Sequence, residues 1–215
     1  MAKYENIRAL AKKQLQAVTE SSDRWKAFLQ TAAIAYNYSF PNQLLIYAQN
    51  PTATAVADMD YWNKNAGRRV KRGAHGTAVF DTRANSPRLR YLFDISDTIP
   101  IHEISEALPW AVTDQNWKPV WDKIIVDNHA DSIQSALLMI STSYVAQRSA
   151  MFTTALEKAV DGSSLQWAKP NEQRRLFLQI VTQSCLYMAA LRCGVDTARL
   201  DLSCLLYTSP SPRDS

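Results

Sequence analysis

The chain has 215 residues, 47% hydrophobic and 20% charged, with five glycines and a net charge of +4. This composition buries a core and excludes a disordered tail, a many-turned all-β fold and, since no apolar run nears about 20 residues, a membrane span. Cys185, Cys193 and Cys204 are too few and too badly spaced for a disulfide framework or a zinc site, and Met1-Ala2-Lys3-Tyr4-Glu5 carries no signal core, so a reducing, cytoplasmic setting is expected.

The first third predicts helices. Ile7, Leu10, Ala11, Leu15 and Val18 recur at spacings of three and four. Ser22 or Asp23 suits the start of a second helix, whose stripe is Trp25, Phe28, Leu29, Ala32, Ala33 and Tyr36. Ser39 and Pro41 open a third, which Asn50-Pro51 ends, and a short fourth over 59–65 stops at Gly67. The pattern then changes. The runs 69–72 and 77–80, joined by Gly73-Ala74-His75-Gly76, predict a basic β-hairpin, and 88–93 predicts a strand with Leu89, Tyr91 and Phe93 opposite Arg88 and Arg90.

Pro100, Pro109 and Pro119 mark 99–121 as a linker or irregular connection. Beyond it Ile133, Leu137, Ile140, Tyr144, Val145, Phe152 and Leu156 predict one long helix, or two broken near Arg148. Pro170 opens another that Gly194 is placed to end. The expected fold is α+β: N-terminal helices packed with a small antiparallel sheet (the basic hairpin plus one strand), followed by an all-helical region. Its expected divisions are 1–98, the connection 99–121, a helical module 122–203, and 204–215. Cys204 to Asp214 reads, codon by codon, as a translated transposase-type sequencing adaptor, so 204–215 is expected not to be native and the natural chain to continue differently beyond Ser203.

Catalytic patterns are scarce. Gly73-Ala74-His75-Gly76-Thr77 lacks the lysine of a phosphate loop, and His102-Glu103-Ile104-Ser105-Glu106 has Glu106 where a zinc peptidase needs a second histidine. With His75, His102 and His129 the only histidines and no nucleophile elbow, neither a metal, a cofactor nor an enzymatic activity is expected of these residues. The charge distribution says more. Lys64, Arg68, Arg69, Lys71, Arg72, Arg83, Arg88 and Arg90 face one acid, Asp81, within 61–93, while acids outnumber bases elsewhere. Clustered cations replace the counterions of phosphates, and exposed aromatics stack on unpaired bases. Such a run also serves as a solvated sheet face, and Tyr91 and Phe93 suit a core. Trp25 suits the core as well, and Asn37, Asn42 and Gln43 suit either helix capping or bonds to bases and phosphates.

Three stretches together carry a resemblance. They are Trp25-Lys26-Ala27-Phe28-Leu29, the run Tyr36-Asn37-Tyr38-Ser39-Phe40-Pro41-Asn42-Gln43-Leu44-Leu45-Ile46-Tyr47-Ala48-Gln49-Asn50-Pro51, and, with Trp62, Gly67 to Gly76 and Arg88 to Asp94. Over about 25–97 the chain resembles the single-stranded-DNA-binding N-terminal domain of the ArdC anti-restriction proteins, as found at the front of large proteins of Firmicutes conjugative and integrative elements. The resemblance implies a non-catalytic DNA-binding part of a longer protein whose downstream domains are helicase- or DNA-methylase-like. ArdC itself continues into a metallopeptidase-like domain with a His-Glu-x-x-His pair, which this sequence lacks.

The residues expected at the DNA are Lys64, Arg68, Arg69, Lys71, Arg72, His75, Arg88 and Arg90, with Tyr61 or Trp62 as stacking groups and Asn42 and Gln43 beside them. The expected partner is nucleic acid, single-stranded DNA first, with proteins of the conjugation machinery as further partners and no membrane. The alternative is a protein-interaction module that docks an acidic partner.

Overall fold

Ser21, Asp58 and Ser132 cap helix starts in this chain with their side-chain oxygens, and Gly194 ends a helix. The computed structural model describes residues 2–83, 86–101, 112–160 and 166–200. Helix α1 is Ala2–Val18 and α2 is Ser22–Ile34. The residue that caps α2 is Ser21, whose Oγ accepts from Arg24 N at 3.2 Å, and not Ser22 or Asp23, which already lie inside the first turn. Helix α3, Phe40–Gln49, has Ser39 at its cap and Pro41 in the first turn, although the Ser39 side chain makes no capping bond. Strand β1 (Val56–Asp58) runs straight into α4 (Met59–Lys64), with Asp58 accepting from Tyr61 N at 2.9 Å.

The remaining strands are β2 (Arg68–Val70), β3 (Thr77–Phe80), β4 (Leu89–Asp94) and β5 (Thr98–Pro100). They form two antiparallel sheets, β1-β4-β3 and β2-β5. In the first, Val56 pairs with Asp94, and Ala78 with Tyr91; in the second, Arg69 pairs with Ile99. The expected hairpin between 69–72 and 77–80 is therefore not formed. Gly73, at φ +85, and the bond from Ala74 N to Lys71 O turn the chain after β2. Gly76 then lies flat on β4: a Cβ there would sit 2.9 Å from Tyr91 Cβ and 3.0 Å from the Phe93 ring. The hairpin is β3–β4, and β2 finds its partner in β5, whose Ile99 and Pro100 fall in the stretch expected to be irregular.

The chain forms two compact units: Met1–Val18 with Gln30–Trp110, and Thr19–Leu29 with Ala111–Ser215. In the first, Ala11, Ala35, Leu45, Ile46, Ala53, Val79 and Leu92 make the main core, and Trp62, Ala55, Ala66 and Phe93 a second cluster. The second contains α5 (Trp117–Asp127), α6 (Ile133–Gln147), α7 (Ser149–Ala159) and α8 (Pro170–Arg192). Helix α5 begins within the expected connection, because Pro119 falls in the first turn, where its missing N–H costs nothing. The break at Arg148 separates α6 from α7. Gly194, at φ +65, ends α8 with paired bonds from Val195 N to Ala190 O and from Gly194 N to Leu191 O, the glycine-terminated cap expected there. Trp25 is half-buried in this unit, its indole N–H donating to Ser184 Oγ at 3.0 Å, so the residues around it join the helical unit although they precede most of the first. The motif at His102 and the residues from 201 on lie outside the described residues.

One contact sets the edge of the three-stranded sheet. Strand β3 lies at that edge, and its alternate residues Ala78 and Phe80 turn their backbone groups outward. Asn42 and Gln49, seven residues apart on α3, meet both. Asn42 donates to Phe80 O (3.0 Å) and accepts from Phe80 N (2.9 Å); Gln49 donates to Ala78 O (2.9 Å) and accepts from Ala78 N (3.0 Å). Two side-chain amides thus stand in for a fourth strand. Replacing Asn42 by Ala orphans both Phe80 groups, and leaving buried polar groups without partners costs about 1–3 kcal/mol each. Asn42→Ala is expected to lower the denaturant midpoint accordingly with an unchanged m-value; an unaltered midpoint would show that the amide contributes nothing.

Candidate nucleic-acid interface

The basic residues divide along β4. Near its end, Arg68, Arg69, Lys71 and Arg72 ride on β2 and the following turn, with His75 exposed beside them. Arg68 Nε donates to Thr98 Oγ1 at 2.7 Å, and Lys71 Nζ to Ser96 O at 2.7 Å, while Lys71 N bonds Asp97 O. These bonds tie the turn to the start of β5. At the other end, Arg88 stands exposed where Asp81 N bonds its carbonyl at 3.0 Å, and Arg83 lies in the same hairpin connection. Six residues separate Arg88 from Asp94, roughly 20 Å of extended strand. The two sets are the ends of a track and not one continuous patch.

Local acids engage some of these cations. Asp58 Oδ2 lies 3.6 Å from Arg90 and 3.9 Å from Arg83, and Asp81 Oδ1 lies 3.4 Å from Arg83. Arg90 is further spent on packing. Its guanidinium sits 5.4 Å over the Tyr38 ring, and the Tyr38 hydroxyl donates to Val56 O at 2.9 Å. Burial pushes the Tyr38 phenol up, with the Arg90 charge acting against it. Arg90 therefore belongs to the inner face of the sheet with Leu92, whereas Tyr91, expected in the core, is 39% exposed. Lys64 pairs with Asp60 at 3.6 Å, both ends in solvent, an arrangement of little strength. Arg69, Arg72 and Arg88 have no acidic side chain within ion-pair distance among the described residues.

The other expected contacts fall inside the fold. Trp62 is 2% exposed, and its indole N–H donates to Phe93 O at 2.9 Å, so it fills the second core cluster and presents no stacking face. Asn42 is equally buried and bound to Phe80. Gln43 donates to Ala35 O at 3.2 Å, satisfying a carbonyl at the end of α2. Burial takes Trp62 and Asn42 away from any contact with bases, and Gln43 serves the end of α2. Tyr61 remains exposed, its ring edge-on to Trp62 with centroids 5.7 Å apart. Neither a family model, nor a curated protein, nor a solved structure matches this chain.

No group of three or more metal-ligating side chains occurs among the described residues, and no helix described is long and apolar enough to cross a membrane. Cys185 and Cys193 are free, with thiols pushed up by burial, the reverse of what a nucleophile needs.

The residue that holds the cationic turn in place is one that composition and spacing did not single out. Asp94 is 4% exposed, and its carboxylate accepts from Thr54 N (2.8 Å), Ala55 N (3.0 Å) and Ser96 N (3.0 Å). It joins β4, the segment before β1, and the short 3-10 turn Ile95–Asp97 on which Lys71 rests. Burial works to raise this carboxyl, but the N–H bonds from Ser96, Ala55 and Thr54 outweigh it and hold the group below the ordinary aspartate value. A carboxyl that is the stronger acid when folded contributes stability above its unfolded pKa and loses it as the pH falls through the folded one. Acidification from about pH 5 toward pH 1 is therefore expected to destabilise the protein. Asp94→Asn should be less stable at neutral pH and decline less over that range. Parallel pH–stability curves for the two proteins would contradict the assignment.

Proposed function

We propose that this chain binds single-stranded DNA as the non-catalytic part of a larger protein of the ArdC-like kind found in conjugative and integrative elements. The observation that carries the reading is the distribution of partners among the cations. Asp58, Asp60 and Asp81 engage Arg83, Arg90 and Lys64, yet Arg69, Arg72 and Arg88 are exposed with no carboxylate within ion-pair distance among the described residues. A purely structural charged face tends to alternate signs. Guanidinium groups without internal partners suit phosphate, whose oxygens they bind in a planar fork.

The spacing along β4 supports a backbone track, and the exposed Tyr61 supplies an aromatic face near it in sequence. The Asn42 amide is buried with its donor and acceptor both engaged by Phe80, and that of Gln43 donates to Ala35 O, which leaves little there to read base edges, so the proposed binding is weakly sequence-selective.

Fluorescence anisotropy with labelled oligonucleotides at several salt concentrations tests the reading. For single strands the slope of log K against log salt is about −0.7 per phosphate neutralised. Replacing Arg69, Arg72 and Arg88 together with Ala is expected to weaken binding to every sequence alike and to flatten that slope by about 2. These side chains are exposed and have no carboxylate partner among the described residues, so folding should be retained, as circular dichroism would verify. A folded triple variant that binds as tightly as the parent rejects the proposal, and tighter binding to polyglutamate than to DNA would point instead to an acidic protein partner.

A further inference from the structure

Tyr91 is the exposed aromatic of the three-stranded sheet among the described residues. It stands on β4 between the two sets of cations, with Ala78 opposite it on β3. The neighbouring chain keeps low around it. Gly76 passes so close that a Cβ would come 2.9 Å from Tyr91 Cβ, and a side chain there would have to displace β4 or stand beside the ring. The hydroxyl of Tyr91 makes no hydrogen bond among the described residues, and what covers its ring is a charge: Lys3 Nζ lies 5.0 Å from the centroid.

From this arrangement we infer that Tyr91 is the platform on which one base of a bound single strand stacks, with Lys3 moving from the ring to the adjoining phosphate. The inference rests on the proposed DNA binding and adds the residue that meets the base. Both partners in the Lys3–Tyr91 contact are exposed, and an ammonium ion is strongly hydrated, so a base can take its place at small cost. A base offers a larger apolar face than the ammonium, and the displaced charge gains a phosphate. Backbone and base are then held by separate groups. Arg69, Arg72 and Arg88 act on the phosphates at the ends of the track, and Tyr91 acts on the base between them.

An abasic single strand of equal length separates the two contributions, since it keeps the phosphates and lacks the rings. The parent protein is expected to bind oligothymidine more tightly than the abasic strand by roughly 5- to 150-fold, the span of a single aromatic stack. Tyr91→Leu should remove most of that preference while leaving abasic binding and the thymidine salt slope unchanged; Tyr91→Phe should retain the preference. Lys3→Ala should flatten the salt slope by about 0.7, one phosphate contact. Photocrosslinking of a 5-iodouracil oligonucleotide, mapped by mass spectrometry, should label Tyr91. Equal affinity of the parent for thymidine and abasic strands would overturn the stacking role and leave the proposed DNA binding standing. Failure of the parent to bind either strand would overturn both. A Tyr91→Leu protein that keeps the full preference for thymidine, with the crosslink elsewhere, would also reject Tyr91 as the platform.

Discussion

An open edge on a small sheet is the constraint that organises the first unit. Strand β3 has a partner on one side only, and an unsatisfied strand edge invites pairing with another chain. Here the edge is closed by Asn42 and Gln49, whose amides present a donor and an acceptor in the same relation as a peptide group. Seven residues on a helix are about two turns, close to 10 Å, while two residues along a strand are nearer 7 Å. The extra reach of Gln over Asn, one methylene, helps to reconcile these repeats. Leu45 and Ile46, three and four residues on from Asn42, share that face of α3 with the two amides and join Val79 and Leu92 in the core. Edge closure and core packing are thus two consequences of one helix placement.

Asp94 performs the corresponding task at the far end of β4. A buried carboxylate is costly unless its oxygens are bonded, and three backbone N–H groups meet this one. Its bond to Ser96 caps the 3-10 turn, and the Ser96 carbonyl then receives Lys71. A charge that composition would count toward DNA affinity is in this way partly assigned to holding the turn on which Arg69 and Arg72 ride. Sequence counts of basic residues overstate the free charge for this reason. Arg90, clamped between Asp58 and Tyr38, is the clearer example.

What the sequence made legible follows from locality. Helix stripes, the break at Arg148 and the glycine cap at Gly194 depend on residues a few positions apart, as do the strand-like runs 77–80 and 88–93, and together they give the α+β class. Strand pairing does not depend on near neighbours. The run 69–72 and the run 77–80 are adjacent and joined by two glycines, which is sufficient for a hairpin locally, yet β2 pairs with β5 some thirty residues on. The deciding feature is steric: Gly76 is needed for approach to Tyr91 and Phe93, not for a two-strand turn. The bonds of the amides were equally illegible. Asn42 and Gln43 have the composition of a base-reading pair, and only the position of β3 reveals that Asn42 is buried with its donor and acceptor both engaged, and only the end of α2 that Gln43 donates to Ala35 O. The basic segment itself was conspicuous in the sequence; which of its members remain available was not.

The division of the cations bears on how any single strand would lie. On the proposed reading, a continuous patch would attract phosphates without directing them, whereas two sets roughly 20 Å apart along β4 favour a strand drawn lengthwise over the sheet. Tyr91 lies between the sets, three residues from Arg88 and three from Asp94, so a backbone held at both ends would pass over its ring. Duplex DNA keeps its bases stacked inside and would offer this ring nothing, although it would satisfy the arginines. On the proposed reading, the arrangement separates affinity, which the cations would supply to any polyphosphate, from strand preference, which the aromatic ring would supply to unpaired bases. With the Asn42 amide taken up by Phe80, the proposed surface would distinguish single from double strands with little dependence on sequence.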